Sequence, residues 1–407
     1  MSILLPTPYL LLSILLIRWE VSLLERAKIQ QIFDNGWNDY SERFNPSPVQ
    51  SRAAFCLMNC KSGRFGYNIS RCDKCEYTDI HANSCRNRNC PNCQAVLKEI
   101  WIDARSSEVI DADYFHVVFT VPAQLNPLIY ANQKILYGLL HKCSAETLLE
   151  LCSNKKYLGA TPGIIQVLHT WGQELNYHPH IHCIVSGAGL TSANELRHCT
   201  KKFLVRIEPL AKKFRGKFMD YLKQYYDDKR LIIPESDKKL RNSYHWYDYC
   251  NRLYQINWNS EIRETFNGNG NAIAYLGRYA NRIAVTNTRI ISVDSDSVTF
   301  KAKDYKTGTT KNVTISCVEF IRRFMMHVLP SGFQKIRYYG FLNNRYKSKN
   351  LRLIFKLQGQ QRYTARLAGL SMDEVLKKVW NYNIHQCPVC GCSNSMRHVG
   401  RTYTLIE

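Results

Sequence analysis

Residues 177–186 read Tyr-His-Pro-His-Ile-His-Cys-Ile-Val-Ser. The run is read as a β-strand, in which residues two apart project from the same face. His180 and His182 then point one way and Ile181 the other. Two imidazoles aimed at one point are what a metal ion requires. His178 shares that face by alternation, although Pro179 is expected to twist the start of the strand. Gly163–Thr170 (Gly-Ile-Ile-Gln-Val-Leu-His-Thr) reads as the preceding strand. If the two strands are antiparallel neighbours, His169 lies beside the pair and is the candidate third ligand. A lone strand histidine is more often structural, but four fall between 169 and 182.

A second motif lies downstream. Tyr275-Leu-Gly-Arg-Tyr279 follows the flexible hinge Asn267-Gly-Asn-Gly270. On a helix its two phenols lie on one side, a turn apart. With 25 tyrosines in the chain, such spacing arises by chance; beside a histidine metal site it suggests a nuclease whose nucleophile is a tyrosine. Attack by Tyr275 or Tyr279 on a phosphodiester would give a 5′-phosphotyrosine and a free 3′-OH, conserving the bond energy for rejoining. Arg278 and Arg282, again four apart, are placed to hold phosphates. The metal would polarise the scissile phosphate as a Lewis acid. Phosphate chemistry commonly uses Mg²⁺ or Mn²⁺, while imidazoles favour softer ions. Mg²⁺ or Mn²⁺ is the expected catalytic ion.

The rest of the 407 residues agrees with a DNA substrate. Fifty-five Lys and Arg against 33 Asp and Glu give a net charge of +22, which favours a polyanionic partner. Seven of the sixteen cysteines fall between Cys56 and Cys93, in an order Cys60-x11-Cys72-x2-Cys75-x9-Cys85-x4-Cys90-x2-Cys93. Paired C-x2-C knuckles in a basic chain read as zinc sites in a reducing cytoplasm rather than as disulfides. The simplest assignment groups Cys72, Cys75, Cys90 and Cys93 around one zinc. Cys60 and Cys85, with Cys56 or His81, are candidates for a second. Arg86 and Arg88 beside these ligands are candidate DNA contacts. Cys387-x2-Cys390 forms a further knuckle, for which Cys392, His385 or His398 are candidate companions.

Helical patterns are read over 23–40, 94–109, 124–152 and 209–226, and strands over 114–121, 163–170, 177–186, 283–293 and 298–302. This mixture predicts an α+β fold with a largely antiparallel central sheet. The expected organisation is an apolar extension over 1–22, a zinc-binding region over 23–98, a nuclease domain over 105–290 and a basic C-terminal region over 291–407. Ile3–Ile17 is apolar but interrupted by Pro6 and Pro8, and falls short of the ~20 residues of a spanning helix. A dispensable extension is expected there, and no membrane partner.

The motifs together resemble a known family. Asn83-Ser-Cys-Arg-Asn-Arg-Asn-Cys-Pro-Asn-Cys-Gln94, Tyr114-Phe-His-Val-Val-Phe-Thr-Val-Pro122, His169-Thr-Trp-Gly-Gln173, Tyr177–Val185, Tyr275–Tyr279 and Phe320-Ile-Arg-Arg-Phe324 are similar, in this order, to the two-tyrosine rolling-circle transposases of the IS-ninety-one family, within the His-hydrophobe-His endonuclease superfamily. The resemblance implies a zinc domain holding one or two zinc ions, followed by a palm-like antiparallel sheet. It implies that His180 and His182 bind metal, that Tyr275 and Tyr279 are nucleophiles, and that the partner is single-stranded DNA at insertion-sequence ends, at the bacterial nucleoid. Related relaxases place a third histidine on a nearby strand, which fits His169. Asn89 stands where the family usually has histidine and is not expected to be an essential ligand. Alternatives are a plasmid replication initiator or conjugative relaxase with the same chemistry, or a zinc-dependent DNA-binding protein without catalysis.

Overall fold

The computed structural model describes residues 28–200, 203–265, 277, 284–304, 307–361 and 364–402. The apolar stretch 1–22 and the tyrosines at 275 and 279 lie outside them. The fold is α+β, and the chain divides into two compact units, each discontinuous in sequence. One is built from the described residues up to Val96, from Ile283–Val328 and from Ser371 onward. The other comprises Leu97–Arg282 and Leu329–Leu370. The stretch 291–407 is therefore shared between them.

In the first unit, helices Lys28–Phe44 and Cys317–Met325 share an aromatic core, with the rings of Phe33 and Phe324 edge-to-face at 5.5 Å. The shorter helix shows why. Cys317, Phe320, Ile321, Phe324 and Met325 are its buried residues, the spacing of one apolar face. Ser316 caps it by accepting from the Glu319 N–H at 3.2 Å. On its other side Arg322 and Arg323 both donate to Glu319, at 2.6 and 2.7 Å, and hold that carboxyl down at about 2. Beside these helices lies the sheet β10-β9-β8, made of Thr310–Ser316, Ser297–Lys303 and Ile290–Val293. The strand expected over 283–293 is confined to its last four residues. A 3-10 turn, Asn287–Arg289, precedes it, and the Asn287 side chain accepts from the Ile29 N–H at 3.1 Å, a group at a helix start that has no partner within the helix. A second small sheet, β12-β1-β2, consists of Met396–Thr402, Tyr67–Cys72 and Thr78–Ala82.

The second unit is organised by one antiparallel sheet in the order β11-β4-β5-β3-β7. Its strands are Ile336–Gly340, Thr161–Trp171, Tyr177–Leu190, Tyr114–Thr120 and Ser260–Thr265, with β6 (Leu196–His198) pairing the end of β5. β5 lies in the middle, and twelve of its fourteen residues are buried. Alternation assigns the two faces. Phe115, Val117, Phe119, Ile181, Cys183 and Val185 face a large core with helices Gln133–Ser153 and Ile207–Asp227. Ile165, Val167 and Ile184 face a second core with Phe341, Leu351 and Phe355 of the segment that includes helix Lys347–Gln358. Each buried aliphatic side chain contributes about 1.5–3 kcal/mol, so burial on both faces pins the register against a one-residue slip.

Gly340 ends β11 in the left-handed region at φ +63, and a Cβ there would come 1.7 Å from the Pro162 carbonyl oxygen. Gly340→Ala is expected to destabilise this unit by about 2–4 kcal/mol, from the conformational cost plus the clash. A denaturant midpoint equal to that of the wild type would show that the β11 end does not need this geometry.

Candidate metal centres

The register of the central sheet brings the histidines together. His169 on β4 lies directly opposite His180 on β5, and Val167 opposite His182. One nitrogen from each of His169, His180 and His182 falls within 4.8 Å of the others. His180 and His182 face each other through Nε2 at 3.1 Å. Two nitrogens about 2.0–2.1 Å from one divalent ion stand roughly 3.0–3.4 Å apart, so this donor set fits an ion.

The outer nitrogens decide which tautomer is present. His180 Nδ1 donates to the His178 carbonyl at 2.6 Å, which leaves the Nε2 lone pair turned inward. His182 Nδ1 lies 2.8 Å from His116 Nε2. With Nδ1–H donating to His116, His182 also presents an Nε2 lone pair. His178 thus serves the cluster through its backbone, and its ring is not among the three that converge. Burial, reinforced by the neighbouring His178, holds the His180 imidazole down at about 4, and burial with His169 and His180 holds His182 well below its ordinary value. Both are neutral at pH 7 and can ligate a metal without first losing a proton.

His116 is the residue that sequence reasoning passed over. It lies in the Tyr114–Thr120 strand, where alternation sets Tyr114, His116 and Val118 on the face opposite Phe115, Val117 and Phe119. That period of two was the available signal. Trp171 closes one side of the site by stacking on His169, with centroids 4.5 Å apart. Lys335 sits over the Trp171 ring at 5.0 Å, and its charge adds to the pressure keeping His182 neutral.

Tyr275, Arg278, Tyr279 and Arg282 lie outside the described residues. Within that motif Gly277 is described: it is helical and buried, and a Cβ would come 2.3 Å from the Ile102 side chain. A side chain there would meet Ile102 unless Ile102 shifted.

The cysteines group differently from the simplest assignment. The knuckles at 72–75 and 90–93 do not share a site. Cys90 and Cys93 meet Cys60 and Cys85, whereas Cys72 and Cys75 meet Cys387 and Cys390. The physical reason lies in the hairpin of β1 and β2: it carries Cys72–Cys75 at one end and returns the chain towards Cys60 at the other, where Lys61 N–H donates to the Asn83 carbonyl at 3.2 Å. Cys56 and His81 join neither cluster, and neither do Cys392, His385 and His398. In the first group Cys93 Sγ lies 3.6 Å from Cys60 and 3.7 Å from Cys85. Hydrogen bonds among the four push the thiol pKa values apart, Cys93 and Cys60 below their ordinary range and Cys85 and Cys90 above it. Arg86 and Arg88 are exposed beside these ligands.

A family described as "Transposase zinc-binding domain" matches residues 32–121, and one described as "Putative transposase" matches 163–350. The chain is 35% identical over 363 residues to "Putative transposase y4qJ" of Sinorhizobium fredii, covering 88% of this chain and 89% of the relative. It is 24% identical over 358 residues to the "Transposase for insertion sequence element IS801" of Pseudomonas savastanoi pv. phaseolicola, covering 87% and 85%. No solved structure matches the chain significantly. Among the described residues no helix is long and apolar enough to cross a membrane.

Proposed function

Since the chain belongs to the IS91 family of transposases, we propose that it nicks single-stranded DNA at the ends of an insertion sequence and transfers the strand through a 5′-phosphotyrosine. The observation that carries this reading is the convergence of one ring nitrogen each from His169, His180 and His182 on one face of the central sheet. These three residues would hold Mg²⁺ or Mn²⁺, which when bound polarises the non-bridging oxygens of the scissile phosphate. His116 and the His178 carbonyl orient His182 and His180. Lys335, over Trp171 at the edge of the cluster, offers a cation to the same phosphate.

A tyrosine at 275 or 279 supplies the nucleophile. Its phenol, ordinarily near pKa ~10, gives up its proton and its oxygen bonds to phosphorus. The bond from phosphorus to the 3′ oxygen breaks, and that oxygen takes up a proton. One phosphodiester is exchanged for another, so rejoining needs no nucleotide cofactor. The second tyrosine permits a second cleavage before the first product is released. Arg278 and Arg282 bind flanking phosphates in this reading, and Arg86 and Arg88 bring the zinc region to DNA. The basic chain of net charge +22 supports such contacts through counterion release.

With labelled single-stranded DNA and Mg²⁺ or Mn²⁺, Tyr275→Phe and Tyr279→Phe are each expected to reduce the covalent protein–DNA adduct seen on a denaturing gel. Together they should abolish it. An adduct persisting in the double variant would place the nucleophile elsewhere.

A further inference from the structure

We propose that Cys72, Cys75, Cys387 and Cys390 form a structural zinc site that ties the C-terminal strand to the N-terminal hairpin. The matched zinc-binding region ends at residue 121 and does not reach the second knuckle. The four sulfurs lie within 4.8 Å of one another, with Cys72–Cys390 at 3.7 Å and Cys75–Cys387 at 3.6 Å. A tetrahedral ion with Zn–S bonds of about 2.3 Å sets sulfurs about 3.8 Å apart. A disulfide would need about 2.05 Å.

Both knuckles are bent for the task. The Lys74 N–H donates to Cys72 Sγ at 3.4 Å. On the other side the Gly391 N–H donates to the Cys387 carbonyl at 3.0 Å, and Gly391 takes φ +69. The adjoining strands hold the knuckles together: Cys72 pairs with Met396 in the β1–β12 ladder, and the Asp73 N–H donates to the Ser395 carbonyl at 2.9 Å.

The small apolar core of this sheet is where an ion would matter. Its apolar core consists of Cys72, Cys387 and Met396, with Tyr77 half-buried against them. Burying one methionine side chain is small beside the backbone entropy lost in ordering the seven residues of β12. Arg397 to Asp73, at 3.4 Å, is an exposed pair and adds little. A structural zinc, whose binding is itself folding free energy, supplies what these few apolar contacts lack. The paired ligands stand 318 and 312 residues apart in sequence, so the ion also closes a very long loop in the unfolded chain. A chain ending before Cys387 keeps half of the site and lacks the third strand.

The test is zinc analysis of the full-length chain. Cys72→Ser with Cys75→Ser, and Cys387→Ser with Cys390→Ser, are each expected to lose one zinc relative to wild type. The quadruple variant should lose no more than either pair. Unchanged zinc in either double variant, or two lost in the quadruple, would overturn the proposal. Pulse alkylation of the zinc-loaded wild type avoids dependence on how the variants fold. Cys387 and Cys390 should be protected, and on chelation should become reactive in one phase with Cys72 and Cys75. Reaction of Cys387 and Cys390 at the rate of exposed Cys392 before chelation would overturn it equally.

Discussion

His182→Ala is expected to lower metal-dependent DNA cleavage by about a thousandfold or more while single-stranded DNA binding persists. The substitution removes one of three converging nitrogens. Lewis-acid stabilisation of a phosphoryl transition state is worth several kcal/mol, and every ~1.4 kcal/mol is a factor of ten. His182 is held at both ring nitrogens, 3.1 Å from His180 through one and 2.8 Å from His116 through the other. His116→Phe keeps the three ligands and removes the ring nitrogen that faces His182 Nδ1. It is expected to weaken metal affinity by about 10–100-fold, so that high Mn²⁺ restores much of the lost rate. Single-turnover cleavage across a Mn²⁺ titration reads both effects. Normal cleavage by His182→Ala, with circular dichroism unchanged, would remove the histidine cluster from the reaction.

The second large effect concerns Cys60, Cys85, Cys90 and Cys93. Between Asn83 and Gln94 the chain forms turns but no helix or strand, so few backbone bonds hold it other than those around the sulfurs. Cys93 is central, near both Cys60 and Cys85. Cys93→Ser is expected to release one zinc per chain and to speed amide exchange across 84–94 by orders of magnitude, since binding of a structural zinc is itself folding free energy. DNA affinity should fall with it, because Arg86 and Arg88 lose their fixed positions. Hydrogen-exchange mass spectrometry with zinc analysis decides the matter: full zinc content and unchanged protection over 84–94 would mean that these sulfurs do not bind an ion.

Much of the fold is legible in local patterns of the chain. Runs rich in β-branched and aromatic residues make Tyr114–Thr120, Thr161–Trp171 and Tyr177–Leu190 recognisable as strands, because strands buried on both faces read as near-continuous apolar stretches. Apolar spacing likewise marks helix Ile207–Asp227, and turn residues at Asn45-Pro-Ser-Pro48 mark the break before helix Pro48–Met58. The stretch 283–293 misleads because Ile and Val around Thr286-Asn287-Thr288-Arg289 look strand-like. The Asn287 side chain instead serves the start of a helix more than 250 residues away in sequence.

The same division runs through the site. Local spacing alone puts His180 and His182 on one face and marks each C-x2-C as a knuckle, since both follow from the geometry of a few consecutive residues. Which knuckle meets which is a matter of chain topology. Cys72 reaches Cys390 because β12 returns to pair with β1, a contact set by long-range closure that no spacing encodes. The partnership of His116 with His182, and of His169 with His180, depends on the register in which three strands lie side by side. That register is chosen by burying both faces of the sheet at once, a property of the assembled core rather than of any single strand.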